Sequence, residues 1–112
     1  MSGMPREECA SCLNDLKTAA LWYLEASSRW RDVCARLGID PTMWAESLRD
    51  ALRRGRVTIE DGYFEGPGGR VRISEFLRAR DDYYESRRSF RRLLQDCMRA
   101  CEGVRYDELT VG

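Results

Sequence analysis

Along residues 6 to 37, apolar or small side chains recur at Cys9, Leu13, Leu16, Ala20, Tyr23, Ser27, Trp30, Cys34 and Leu37. The steps alternate four and three, the signature of one face of an α-helix. Pro5, then Glu7 and Glu8, marks its start, with acids in the first turn. Gly38 supplies the left-handed residue that closes a helix, and Ile39 stands where the closing apolar contact falls. At about 1.5 Å per residue this helix would measure about 48 Å, and a bend or break is expected near "EASS".

A second helix is expected over about 41–54. Asp40 is placed as its N-cap, Pro41 as its first residue, and Ile39 with Trp44 as a hydrophobic staple. Its apolar face is Met43, Trp44, Leu48, Ala51 and Leu52, and Gly55 ends it. Over about 56–73 the period changes to two: "VTIE" and "RVRI" alternate, with "DG" and "GPGG" as turns. This predicts a β-hairpin, or a three-stranded meander turning at Asp61-Gly62 and again at Gly66 to Gly69. Ser74 is placed to cap a last helix over about 74–102, with Gly103 as its stop. Its stripe is Ile73, Phe76, Arg80, Tyr83, Arg87, Phe90, Leu94, Cys97 and Cys101, a heptad seam interrupted by two arginines. The tail, 103–112, reads as frayed or as a short docked strand. The fold class is therefore mainly α. Two long antiparallel helices and a short one form a single helical domain, 1–112, with the hairpin inserted before the last helix.

Composition narrows the function. The chain has 112 residues, 43% hydrophobic and 34% charged, which fits one globular domain rather than disorder. Lys+Arg and Asp+Glu are each 19, so the formal net charge is zero and nucleic acid is not the expected partner. Lys17 is the only lysine. That excess of arginine reads as codon bias, or as a use of planar forks for carboxylate pairing. No histidine is present, which removes Ser-His-Asp and Cys-His catalysis and the commonest neutral metal ligand. No catalysis and no cofactor are expected. The N-terminus lacks a signal-peptide shape, and the longest apolar run, "AALWYL", is far too short to span a bilayer. The expected setting is cytoplasmic, with thiols reduced and no membrane partner.

Cys9 and Cys12 stand near one end of the chain, Cys97 and Cys101 near the other. If the long helices pack antiparallel, the two pairs become neighbours. They could then hold zinc through four thiolates, or form two bridges such as Cys9 to Cys101 and Cys12 to Cys97. The favoured reading is simpler: all four lie on or beside apolar seams, where reduced cysteine serves as small buried filling. Cys34 is read as core.

The stretch "ALWYLEA" is apolar nearly all round, since Leu21 and Trp22 lie off the seam that carries Tyr23. Either the second helix or the hairpin covers Trp22, or a partner does. A buried Arg80 or Arg87 needs a carboxylate, from a partner or from Asp15 or Asp32. Residues 87 to 99 also carry Arg87, Arg88, Arg91, Arg92 and Arg99 against Asp96 alone. The candidate partner-binding residues are Leu21, Trp22, Arg80, Tyr84, Arg87 and Arg91. They point to a small regulatory or adaptor protein that binds a protein partner, itself as a homodimer, or both. One concrete form is a bacterial or phage protein that masks an interface of its target. A cysteine-based metal or redox protein is the first alternative. The second is a winged-helix-like DNA regulator using Arg49, Arg53, Arg54 and Arg56, though that reading needs another short helix before the hairpin.

Overall fold

The computed structural model describes residues 5–103. The order is α1 (Pro5–Leu37), α2 (Trp44–Arg53), β1 (Thr58–Glu60), β2 (Tyr63–Gly66), β3 (Gly69–Arg72) and α3 (Ile73–Ala100). The fold is mainly α, with the small antiparallel sheet inserted before the last helix. The expectation for the tail lies, beyond Gly103, outside the described residues. No described helix is long and apolar enough to cross a membrane. The chain forms two compact units: Glu25–Tyr84, and Met1–Leu24 together with Glu85–Gly112.

In the Glu25–Tyr84 unit an aromatic cluster forms the core. Trp30, Val33, Leu37, Ile39, Val57, Phe64, Val71 and Phe76 are buried together. Trp30 stands at the centre, with ring centroids 5.2 Å from Phe76, 6.0 Å from Trp44 and 6.3 Å from Tyr83. α1 stays helical through Glu25 to Ser28, so the expected break is absent. Its end follows the glycine rule: Gly38 N–H donates to Ala35 O and Ile39 N–H to Cys34 O, with Gly38 at φ +68°. Gly55 closes α2 in the same way, through bonds from Gly55 to Leu52 O and from Arg56 to Ala51 O.

The start of α2 differs from expectation. Asp40 caps no helix. Its carboxylate accepts the Thr42 backbone N–H at 2.9 Å and the Thr42 hydroxyl at 2.8 Å, closing a local turn. Those bonds, the backbone one foremost, hold the Asp40 carboxyl below its ordinary range. The Trp30 indole donates to Pro41 O at 3.1 Å, so this backbone is committed to the core before a helix can begin. α2 starts at Trp44, three residues later than Pro41, with no side-chain cap.

The sheet is the three-stranded alternative, in the order β1-β2-β3. Asp61 and Gly62 both have positive φ, 51° and 79°, as a two-residue hairpin turn requires. Phe64 pairs with Val71 and both face the core. β1 is an edge strand, exposed throughout, and Ile59 is exposed although it lies opposite Phe64. The expected alternation in "VTIE" therefore survives only at Val57, which is buried just before the strand. Gly66 and Gly68 press against the end of α1, and Gly68 N–H donates to Arg36 O at 2.8 Å. A Cβ on Gly66 would meet backbone, at 2.6 Å from Arg36 O and 2.6 Å from the Leu37 Cα. Gly66→Ala is accordingly expected to lower stability by about 1–3 kcal/mol, read as a drop in urea midpoint at constant slope.

Ser74 falls inside the first turn of α3 rather than ahead of it, because the helix begins directly from β3 at Ile73. The inward stripe of α3 keeps the expected Phe76, Tyr83, Phe90 and Cys97 and departs from the expected seam at the two arginine positions and at Leu94, which is exposed. Ala79 and Ser86 are buried where Arg80 and Arg87 were expected, and both arginines sit half-buried beside them. Small side chains let neighbouring backbone approach, while a long arginine can lie along the rim with its charge outward.

Candidate functional site

In the unit formed by Met1–Leu24 and Glu85–Gly112, the α1 and α3 segments run antiparallel. Cys9 is bonded to Cys101, with Cα atoms 4.7 Å apart, and Cys12 to Cys97, at 5.5 Å. The filling reading holds for Cys34 alone, which is free and fully buried. Burial, helped by the Asp40 charge, pushes its thiol up to about 12. The other four cysteines are corrected to two bridges. The physical reason is register: antiparallel packing sets the 9/12 face against the 97/101 face at disulfide range. Oxidised sulfurs are not thiolate ligands, and no cluster of three or more His, Cys, Asp or Glu among the described residues could hold a metal.

This unit has little core of its own. Its fully buried described residues are Cys9, Ala19, Ser86 and Cys97. Tyr23 stacks on Phe90 at 5.6 Å and joins the two helices further along. Trp22 lies next to that stack and is 40% exposed; Leu21 and Leu24 are 54% and 64% exposed. Among the described residues, none covers Leu21, Trp22 and Leu24 fully.

Trp22 stands in a trough. A cavity of about 340 Å³ lies between it and Glu85, Arg88, Ser89 and Arg92. A second, of about 440 Å³, is lined by Trp22, Ser89, Asp15, Thr18, Ala19 and Leu93. The two share Trp22 and Ser89 and so lie side by side on this helix pair.

The six expected site residues fall in both units. Leu21 and Trp22 are adjacent on α1 and exposed. Arg87 and Arg91 share a face of α3, one turn apart, but the arginines at the Trp22 trough are Arg88 and Arg92. Arg80 and Tyr84 belong to the Glu25–Tyr84 unit. There Arg80 Nη2 donates to Asp81 at 2.8 Å, and its guanidinium lies 5.4 Å from the centre of the Trp44 ring. The carboxylate for Arg80 is thus its sequence neighbour, not Asp15 or Asp32. Tyr84 packs its ring edge-on to Tyr83 at 5.1 Å and lines a depression with Met43 and Trp44. Arg88, Ser89 and Arg92 stand one or two positions from the expected Arg87 and Arg91, and no periodicity in the sequence marks them. In the Cys9–Cys101 register residue 22 stands opposite residue 88.

Arg87, Arg88, Arg91 and Arg92 have no ion pair among the described residues. By contrast Arg29, Arg36, Arg54, Arg70 and Arg80 each hold a carboxylate. The trough therefore combines an exposed indole and unneutralised guanidinium groups. Tryptophan and arginine are residue types enriched at binding hot spots. The chain matches no protein-family model, and comparisons with curated proteins and with solved structures give no match.

Proposed function

We propose that the chain is a small non-catalytic regulatory or adaptor protein that binds a protein partner, a second copy of itself, or both through the Trp22 face. One observation carries this reading: Trp22 remains 40% exposed in a trough beside arginines that have no ion pair among the described residues. Trp and Arg are the residues most enriched where binding energy concentrates. Masking an interface of a bacterial or phage target is the concrete form of this reading. The cytoplasmic setting expected from the sequence sits poorly with two bridges, since cytosolic reductants keep most thiols reduced.

Trp22→Ala tests the proposal without disturbing a core side chain. The variant is expected to lose about 2 kcal/mol or more of association free energy, roughly 30-fold in Kd, against the partner or against itself. Light scattering of the purified chain and crosslinked capture from its host supply the two readouts. The reading is overturned if the chain is strictly monomeric and the variant captures the same proteins as the wild type.

The disulfides support a second reading, a thiol redox protein. Stoichiometric oxidation of a small dithiol to its disulfide by the purified chain, with one of its own bridges reduced to two thiols, would favour it over the first. Both bridges still oxidised after a single exposure to excess dithiol, with no oxidant present, would remove it.

A further inference from the structure

The Trp22 face also indicates the chemistry of its occupant. We infer that it receives an acidic amphipathic helix from another protein, with carboxylates on Arg88 and Arg92 and an apolar side chain against Trp22. The inference rests on the partner-binding reading above and adds the partner's chemical class.

Arg88 and Arg92 lie one turn apart on α3 and both line the cavity beside Trp22. Two carboxylates spaced four residues apart on a docked helix repeat at the same pitch, so each meets one guanidinium. Arg87 and Arg91 add two further guanidinium groups on the same helix, which outnumber the two acids, Glu85 and Asp15, that line the cavities. The trough's own acids, Glu85 and Asp15, form no ion pair with either arginine. Ala19 and Leu93 give it an apolar part on the far side of the indole, where a Leu or aromatic side chain of the partner fits.

A second copy of the chain is the weaker source of carboxylates. Three of the acids on its α3 are already engaged: Glu75 with Arg36, Asp81 with Arg80, and Asp82 with Arg29. Nucleic acid is also weaker. The formal net charge of the chain is zero, and a phosphate backbone has no use for the apolar end of the trough.

A displayed library of random helical peptides, selected against the intact oxidised protein, tests the inference. The enriched sequences are expected to carry Asp or Glu at i and i+4 beside Leu or an aromatic residue. Their binding should weaken at least tenfold on Arg88→Gln/Arg92→Gln, and should fall as salt rises. Arg49→Gln/Arg53→Gln, remote in sequence and outside the trough, should leave it unchanged. Enrichment of uncharged or basic peptides overturns the acidic partner, as does acidic binding that survives loss of both trough arginines. If such peptides still depend on Trp22, the partner-binding reading stands while this inference falls. Displacement of the peptides by duplex DNA at equal charge concentration, or by dimerisation of the chain, overturns it in favour of those occupants.

Discussion

Reducing both disulfides is expected to expose the backbone amides of residues 5–24 and 85–100 to exchange, while the Trp30 core stays protected. The reason is the uneven distribution of buried apolar surface. Among the described residues of that unit only Ala19 and Ser86 are buried along with Cys9 and Cys97, whereas the Glu25–Tyr84 unit closes over eleven clustered side chains. An antiparallel pair of helices with that little burial has few interactions to oppose fraying. The bridges span sequence separations of 92 and 85 residues. Closing a loop of that size constrains the denatured chain by about 4–5 kcal/mol in the chain-entropy model. The two contributions do not add. Once Cys9–Cys101 is made, Cys12–Cys97 closes only the few residues between the bridges, so its own effect is smaller.

Removing either bridge by paired Cys→Ser substitution should therefore cost about 2–3 kcal/mol, the contribution of the small ring. Removing both should cost about 7 kcal/mol in urea denaturation and collapse the protection of the disulfide-bonded helical segments. Thiol counting gives the internal control. The denatured oxidised chain should show one thiol, Cys34, and the reduced chain five, the full complement. Unchanged exchange at residues 5–24 after complete reduction would show that these segments are held by packing alone.

Trp30→Ala should be the most damaging single substitution in the Glu25–Tyr84 unit, at about 3–5 kcal/mol. The side chain is 1% exposed and has Trp44, Phe76 and Tyr83 around its ring. Its indole N–H also holds Pro41 O at 3.1 Å, which fixes the entry to α2. Trp30→Phe separates the two contributions. It keeps most of the aromatic volume and loses the hydrogen bond, for about 1–2 kcal/mol, with new exchange at the amides of Thr42 to Ser47. If Trp30→Phe is as damaging as Trp30→Ala, the indole bond rather than ring packing dominates the site.

The chain's local grammar was legible before any coordinates. Alternating steps of three and four along α1 name the residues that become buried or half-buried, from Cys9 to Leu37. Gly38 and Gly55 close their helices because only a residue free to take positive φ permits the closing bonds. Asp61-Gly62 makes the expected hairpin turn for the same reason. What misled at the start of α2 was competition. Asp40 is as good a turn former as a cap, and the Trp30 indole, a tertiary partner, drew Pro41 into the turn.

Sequence by itself determined the elements, their order and their turns, because those follow from side-chain period and backbone freedom over a few neighbouring residues. Tertiary structure alone decided that four cysteines are bridged, and that Ala79 and Ser86 rather than Arg80 and Arg87 face inward. It also decided that Arg88 and Arg92 are the ones to share a trough with Trp22. Adjacent stripes on a helix differ by a fraction of a turn and carry nearly the same period. Only contact with the opposing helix, set by close approach at small residues, selects between them.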